Sequence, residues 1–168
     1  MFLSRFRTSV LLPLWPLEPF QSGWSRGRKG LWAERVVARA LWKAGYGIRE
    51  HRWVGPGRTD IDLVAASRES LLFAEVKLRA AQDEEPWAEV FEEKRQRYLR
   101  AAIGQYLRAT EQRQVAFRVD AFLVVPEEEA PRDPRILVIR NVISPSSVPG
   151  WRGVRCGERE TSPAPIPF

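Results

Sequence analysis

The sequence predicts an α/β protein with its elements in the order α-β-β-β-α-β-β. Three observations carry this. Apolar residues recur at helical spacing in two separate stretches. Five short strand-like stretches lie around them, bounded by glycine, serine or proline. Eight of the 13 prolines fall in residues 1–20 or 145–168, so both ends read as irregular and the centre as the folded part. The expected organisation is a proline-containing N-terminal tail over 1–26, a domain over 27–144 and a proline-rich C-terminal tail over 145–168.

The first helix is expected from Lys29 to Ala44, where Ala33, Val36, Val37, Ala40, Leu41 and Ala44 form one stripe and Gly45 and Gly47 stop it. Strands follow over Ile48–Val54, Arg58–Ala66 and Leu71–Arg79. Gly55-Pro56-Gly57 and Ser67-Arg68-Glu69-Ser70 are short enough to close hairpins, which makes the three strands an antiparallel meander. A long amphipathic helix is expected over Trp87–Leu107, with Trp87, Phe91, Tyr98, Ala102 and Tyr106 on its apolar stripe. Val115–Val125 is the most strand-like stretch, and Arg135–Ile143 offers the last strand after the acidic connection 127–134. The glutamates 127–129 read as a solvated loop.

At 168 residues the chain has room for one ordinary domain with a real core. Its 44% apolar and 29% charged content is that of a globular protein in water. Net charge +6 and a pI near 10.1 point to an anionic partner, nucleic acid or anionic lipid. One cysteine, Cys156, excludes an internal disulfide, and one histidine, His51, excludes a Cys/His zinc site, so a cytoplasmic setting is expected. The apolar run 10–17 is interrupted by Pro13 and Pro16 and is far shorter than the roughly 20 residues of a membrane span. No small-residue cleavage site follows it, so neither membrane anchor nor signal peptide is expected.

The chemistry lies in the meander. Residues two apart in a strand share a face, so Asp60 and Asp62 are expected on one face of the second strand and Ile61 and Leu63 on the other. Glu75 and Lys77 likewise share a face of the third. Pairing those strands would bring two carboxylates and an ammonium together on one sheet face, bordered by Val64, Phe73, Val76 and Leu78. Such a face is costly unless a cation or an ion-pair network offsets it. Magnesium or manganese would do so, with Asp62 and Glu75 as hard oxygen ligands and the Val76 carbonyl as a third. Phosphodiester hydrolysis needs this set: the metal offsets charge on the phosphate, and Lys77 orients or deprotonates the attacking water. Glu34, bordering the apolar stripe of the first helix, is a candidate further carboxylate. An E-x-K pair alone is usually two solvated charges on an edge; its conjunction with D-x-D and a glutamate-bearing helix is what favours a site.

The stretch Gly30-Leu-Trp-Ala-Glu34 with Ala38, Leu41 and Gly45-Tyr46, then Asp60-Ile-Asp62-Leu-Val64, Leu72-Phe73-Ala74-Glu75-Val76-Lys77, Val90 with Lys94, Tyr106-Leu107 and Arg118-Val-Asp120 resembles the YraN family of bacterial proteins. The resemblance spans about residues 29–125. It implies membership of the restriction-endonuclease-like superfamily, the PD-(D/E)XK nucleases, with a mixed central sheet flanked by helices and Glu34, Asp62, Glu75 and Lys77 as the site. The family usually has Gly-Glu-Ile-Asp where this chain has Thr59-Asp60-Ile61-Asp62, which makes Asp60 an auxiliary ligand or an ion-pair partner of Arg58 or Arg79.

Arg79, Lys94 and Arg58 are the candidate phosphate contacts, Lys94 because it falls three after Phe91 and four before Tyr98 on the apolar stripe. Arg95, Arg97 and Arg100 would broaden the basic surface. His51 and Trp53 are expected on one face of the first strand, Trp53 as core rather than base-stacking platform. The expected function is a magnesium- or manganese-dependent endonuclease acting on DNA, branched DNA included, with RNA not excluded; a dimer carrying two sites would suit a branched substrate. The competing expectation is a nucleic-acid-binding module on the same fold. A membrane-surface adaptor using Arg5, Arg7, Trp15 and Phe20 is disfavoured by the proline spacing.

Overall fold

A computed structural model describes residues 16–80 and 92–153, without the Arg58 side chain. Its order is α1 (Arg26–Lys43), β1 (Gly47–Val54), β2 (Asp60–Ala66), β3 (Ser70–Leu78), α2 (Glu93–Ala109), β4 (Ala116–Val125) and β5 (Arg135–Ile139), as the sequence predicts. The sheet order is β1-β2-β3-β4-β5. The first three strands form the antiparallel meander, β3 and β4 are parallel across α2, and β4–β5 is antiparallel. The sheet is therefore mixed, because the β3–β4 connection needs a crossover helix and the others do not.

α1 begins three residues before its expected start because Ser25 caps it, accepting the Arg28 N–H at 3.4 Å. It ends where Gly45 takes φ +88° and Tyr46 N–H reaches back to the Leu41 carbonyl at 3.0 Å. α2 closes two residues later than predicted; the expected start at Trp87 lies outside the described residues. β5 is shorter than predicted because the chain turns away at Asn141 (φ 55°), whose N–H is held by the Asp120 carboxylate at 3.1 Å.

Among the described residues, each face of the sheet carries one helix and one core. α1 packs Ala33, Val37 and Leu41 on Leu63, Ala65, Leu72, Ala74, Phe122 and Val124. α2 packs Leu99, Ala102, Ile103, Tyr106 and Leu107 on Ile61, Val64, Phe73, Phe117 and Val119. Irregular flanking segments complete both: Phe20 stacks against Trp24 and Trp32, and Val148 and Trp151 cover the α2 side. Gly104 permits that last contact, since a Cβ there would stand 2.5 Å from the Pro149 carbonyl oxygen. Among the described residues, no helix is long and apolar enough to cross a membrane.

The expected alternation fails beside Asp62, and the β1–β2 register also shifts between Ile48 and Glu50. Ile61 packs on the α2 side and Leu63 on the α1 side, although two-residue spacing puts them on one face. The same inversion occurs in β1, where His51 meets α1 through Glu34 and Trp53 stacks on Tyr106 of α2 with ring centroids 5.5 Å apart. The pairs His51↔Leu63 and Trp53↔Ile61 leave Arg52 level with Asp62, and Arg52 has φ 52°. A left-handed residue swivels the strand, so the next side chain changes face. The shared faces expected for Ile61 with Leu63 and for His51 with Trp53 are thereby corrected.

Candidate functional site

β2 and β3 pair as far as Leu63↔Ala74 and then separate. Just beyond, Asp62 takes the place of the missing ladder bond: its Oδ2 accepts the Val76 N–H at 2.7 Å. Asp62 therefore points along the sheet towards β3 instead of standing on a face. Glu75 and Lys77, two residues on from Phe73, lie on the α2 side. The expected single acidic face is thus a cluster at the open end of the β2–β3 ladder. The acids come from adjacent strands, Glu75 from one face and Asp62 from between them.

Glu75 is 1% exposed. Its Oε1 lies 3.1 Å from Lys77 Nζ and accepts Arg95 Nε–H at 2.9 Å, while Oε2 accepts Arg95 Nη2–H at 2.5 Å. Arg95 Nη1 also reaches Asp60 Oδ1 at 3.3 Å. Burial lowers the Arg95 pKa, but Glu75, Asp62 and Asp60 together raise it above the ordinary value. Arg95 acts on Asp62 through its charge. Burial first, then the charge of Glu75, pushes its carboxyl up to about 7 against the opposing Val76 hydrogen bond.

Glu34 approaches from α1 but is engaged elsewhere. It accepts Arg52 Nε–H at 2.7 Å and Nη2–H at 2.9 Å on its two oxygens, and lies 2.5 Å from His51 Nε2. Burial pushes this carboxyl up, but the hydrogen bonds and charges of His51 and Arg52 bring it below the ordinary value. Arg52 is raised by its bond to Glu34 and by the charges of Glu34 and Asp62. Glu34 is felt by Asp62 as a charge, yet among the described residues no three Asp, Glu, His or Cys side chains stand close enough to hold a metal by themselves. The expected three-carboxylate set of Glu34, Asp62 and Glu75 is therefore not assembled. Asp62, Glu75 and Lys77 are the part that is brought together.

Of the candidate phosphate contacts, Lys94 lies off the buried stripe on which it was expected. Lys94 is exposed, and Tyr98, expected on the buried stripe, is 49% exposed. The buried stripe of α2 is Leu99, Ala102, Ile103, Tyr106 and Leu107, and four residues before Leu99 stands Arg95. Arg79 is half-buried beside the strand end, its Nη1 donating to the Leu78 carbonyl at 2.9 Å. The Arg58 side chain and Cys156 lie outside the described residues. Sequence reasoning did not single out Arg52 and gave Arg95 only a place on the basic surface. The phase of the α2 stripe, counted back from Leu107 rather than forward from Phe91, was the sequence clue to Arg95.

A second buried pair stands on β4: Arg118 Nε lies 2.9 Å from Asp120 Oδ2, both almost wholly buried. Burial raises the Asp120 carboxyl while Arg118 and the Asn141 N–H oppose that shift. Its hydrogen bond to Asn141 gives it a structural use, holding the turn after β5.

A profile of the uncharacterised protein family UPF0102 matches residues 33–124, from the Glu34 region through β4. A UPF0102 protein of Nitrobacter winogradskyi is 38% identical over 97 residues, covering 58% of this chain and 80% of that protein. One from Bradyrhizobium diazoefficiens is 36% identical over 99 residues, covering 59% and 73%. One from Rhodopseudomonas palustris is 37% identical over 100 residues, covering 60% and 73%. The matched stretch holds Glu34, Asp62, Glu75, Lys77 and Arg95, and the chain belongs to the UPF0102 (YraN) family.

Proposed function

We propose that the chain is a magnesium- or manganese-dependent endonuclease whose centre is Asp62, Glu75 and Lys77, acting on DNA, branched DNA included. The observation that supports this most is the pairing of Asp62 and Glu75 from adjacent strands at the end of a ladder, with Lys77 Nζ 3.1 Å from Glu75. Two buried like charges side by side are mutually destabilising, and a dication is the partner that would relieve both. The donor set fits magnesium, which is commonly held by one or two carboxylates and completes its shell with water and substrate phosphate. The Val76 carbonyl leaves the strand on the same side as the N–H that Asp62 accepts, and would add a third oxygen.

When bound, the metal would supply charge stabilisation at the phosphate and a water acidic enough to attack it. Asp62 and Glu75 would hold it. Lys77 donates a hydrogen bond to the attacking water or to a phosphate oxygen, where negative charge grows as the bond to the leaving oxygen lengthens. Arg52, fixed on Glu34, adds a positive charge beside Asp62. Arg79, Lys94 and the neighbouring arginines of α2 contact flanking phosphates.

One observation favours the second reading, a module that binds nucleic acid without cutting it: Glu75 is already neutralised by Arg95 and Lys77. Incubating the protein with branched, single-stranded and duplex DNA and with RNA separates the two, using magnesium, manganese or chelator beside Asp62→Ala. Metal-dependent cleavage by the wild type and none by the variant supports the nuclease. Salt-sensitive binding that ignores metal, with every substrate intact, leaves the module.

A further inference from the structure

We infer that Arg95 is an internal stand-in for the metal: its guanidinium closes the acid cluster while the metal is absent and transfers to a substrate phosphate when a dication takes Glu75. This rests on the metal-nuclease reading and adds a regulatory residue to it. Three nitrogens of Arg95 bridge the cluster, Nε and Nη2 to the two oxygens of Glu75 and Nη1 to Asp60. With Lys77 on Oε1 as well, Glu75 has no oxygen clear of a cation. A metal ligated by Glu75 must therefore compete with Arg95 for the same carboxylate.

The residue is built to be displaced. It is the third residue of α2, so it hangs on a long side chain from the first turn of the helix, and rotation about that side chain leaves the packed stripe at Leu99 and beyond in place. Its outer contact is the longest of the three and goes to Asp60, whose side chain is 52% exposed. Released from Glu75, the planar guanidinium carries the geometry that pairs bidentately with phosphate. A single residue would thus serve both states: it offsets acid repulsion before loading and becomes a substrate contact afterwards.

The test uses the full-length protein with Arg95→Ala and Arg95→Gln. Manganese binding is titrated by electron paramagnetic resonance with no nucleic acid present. Arg95→Ala is expected to bind manganese about tenfold more tightly than the wild type, because the guanidinium no longer competes for Glu75. Manganese should also raise the melting temperature of Arg95→Ala by more than it raises that of the wild type. Binding of a DNA oligonucleotide in calcium should weaken in the variant, with the salt slope reduced by about one. If Arg95→Ala folds only with manganese, the proposal is supported, because the metal has replaced the guanidinium; Arg95→Gln, which keeps a hydrogen bond to Glu75, then supplies the affinity comparison. Equal or weaker manganese binding by the variants, beside a wild type that does bind, overturns the role of Arg95 alone. No manganese binding by any of the proteins overturns this inference together with the metal-nuclease reading.

Discussion

Asp62 accepts the Val76 N–H at 2.7 Å, a side chain completing a backbone ladder that has just ended at Leu63↔Ala74. The bond fixes the carboxylate in the plane of the sheet and beside Glu75. Replacing Asp62 with asparagine keeps an acceptor for Val76 and removes one of the two like charges. In chelator at neutral pH, Asp62→Asn is expected to be at least as stable as the wild type; with magnesium present it is expected to be inactive in cleavage. Chemical denaturation checks the first part; a clear loss of stability would show that the charge is not a burden.

The pH dependence follows from the same carboxyl. It sits at about 7 in the folded protein and near its ordinary value, about 4, in the unfolded chain. Between those values the folded state holds a proton that the unfolded state has lost, so this group's contribution falls as pH rises from about 4 to about 7. Glu34, lowered instead, contributes stability that is present above its unfolded value and lost as pH falls. Subtracting the denaturation profile of Asp62→Asn from that of the wild type isolates the Asp62 component. A difference that does not change across that window contradicts the assignment.

Removing Glu75 strands two cations. Glu75→Ala leaves Arg95 and Lys77 in a site where the carboxylate is 1% exposed, and breaking such a pair from one side costs about 3–5 kcal/mol. Urea denaturation should show a lower midpoint with an unchanged slope. A cost under about 1 kcal/mol would mean that the cations simply relax into water.

The order of elements, the meander and the E-x-K were legible in the sequence because they rest on local spacing and turn residues. The inversion at Arg52 and Asp62 was not, since nothing in Glu50-His-Arg-Trp-Val54 marks a left-handed residue; arginine is not a type that favours that conformation. The pairing of Arg95 with Glu75 joins residues 20 apart in sequence and depends on the phase of α2, whose buried stripe runs through Leu99 where the aromatic pattern pointed to Tyr98.

Arg52 supplies a separable test of backbone and side chain. Arg52→Ala and Arg52→Gly both lose the double hydrogen bond to Glu34, but only glycine relieves φ 52°. The glycine variant is expected to be the more stable of the two by about 1 kcal/mol. Parallel thermal melts decide it, and equal stability would mean that the chain resets its φ once the arginine is gone.

Gly104→Ala is expected to destabilise by about 1–3 kcal/mol, because the new methyl would meet the Pro149 carbonyl oxygen and must push the 148–151 segment off α2. Quenching of Trp151 fluorescence should become easier in the variant.

The reversal of faces at Arg52 and Asp62 bears on any attempt to transplant this centre. Copying Asp62, Glu75 and Lys77 into a hairpin of regular pleat would reproduce the spelling but lay the aspartate flat on one side, away from the neighbouring strand's amide. A graft must carry the twist donated by the opposite strand, so the smallest portable unit of this centre is a pair of strands with Arg52 in it.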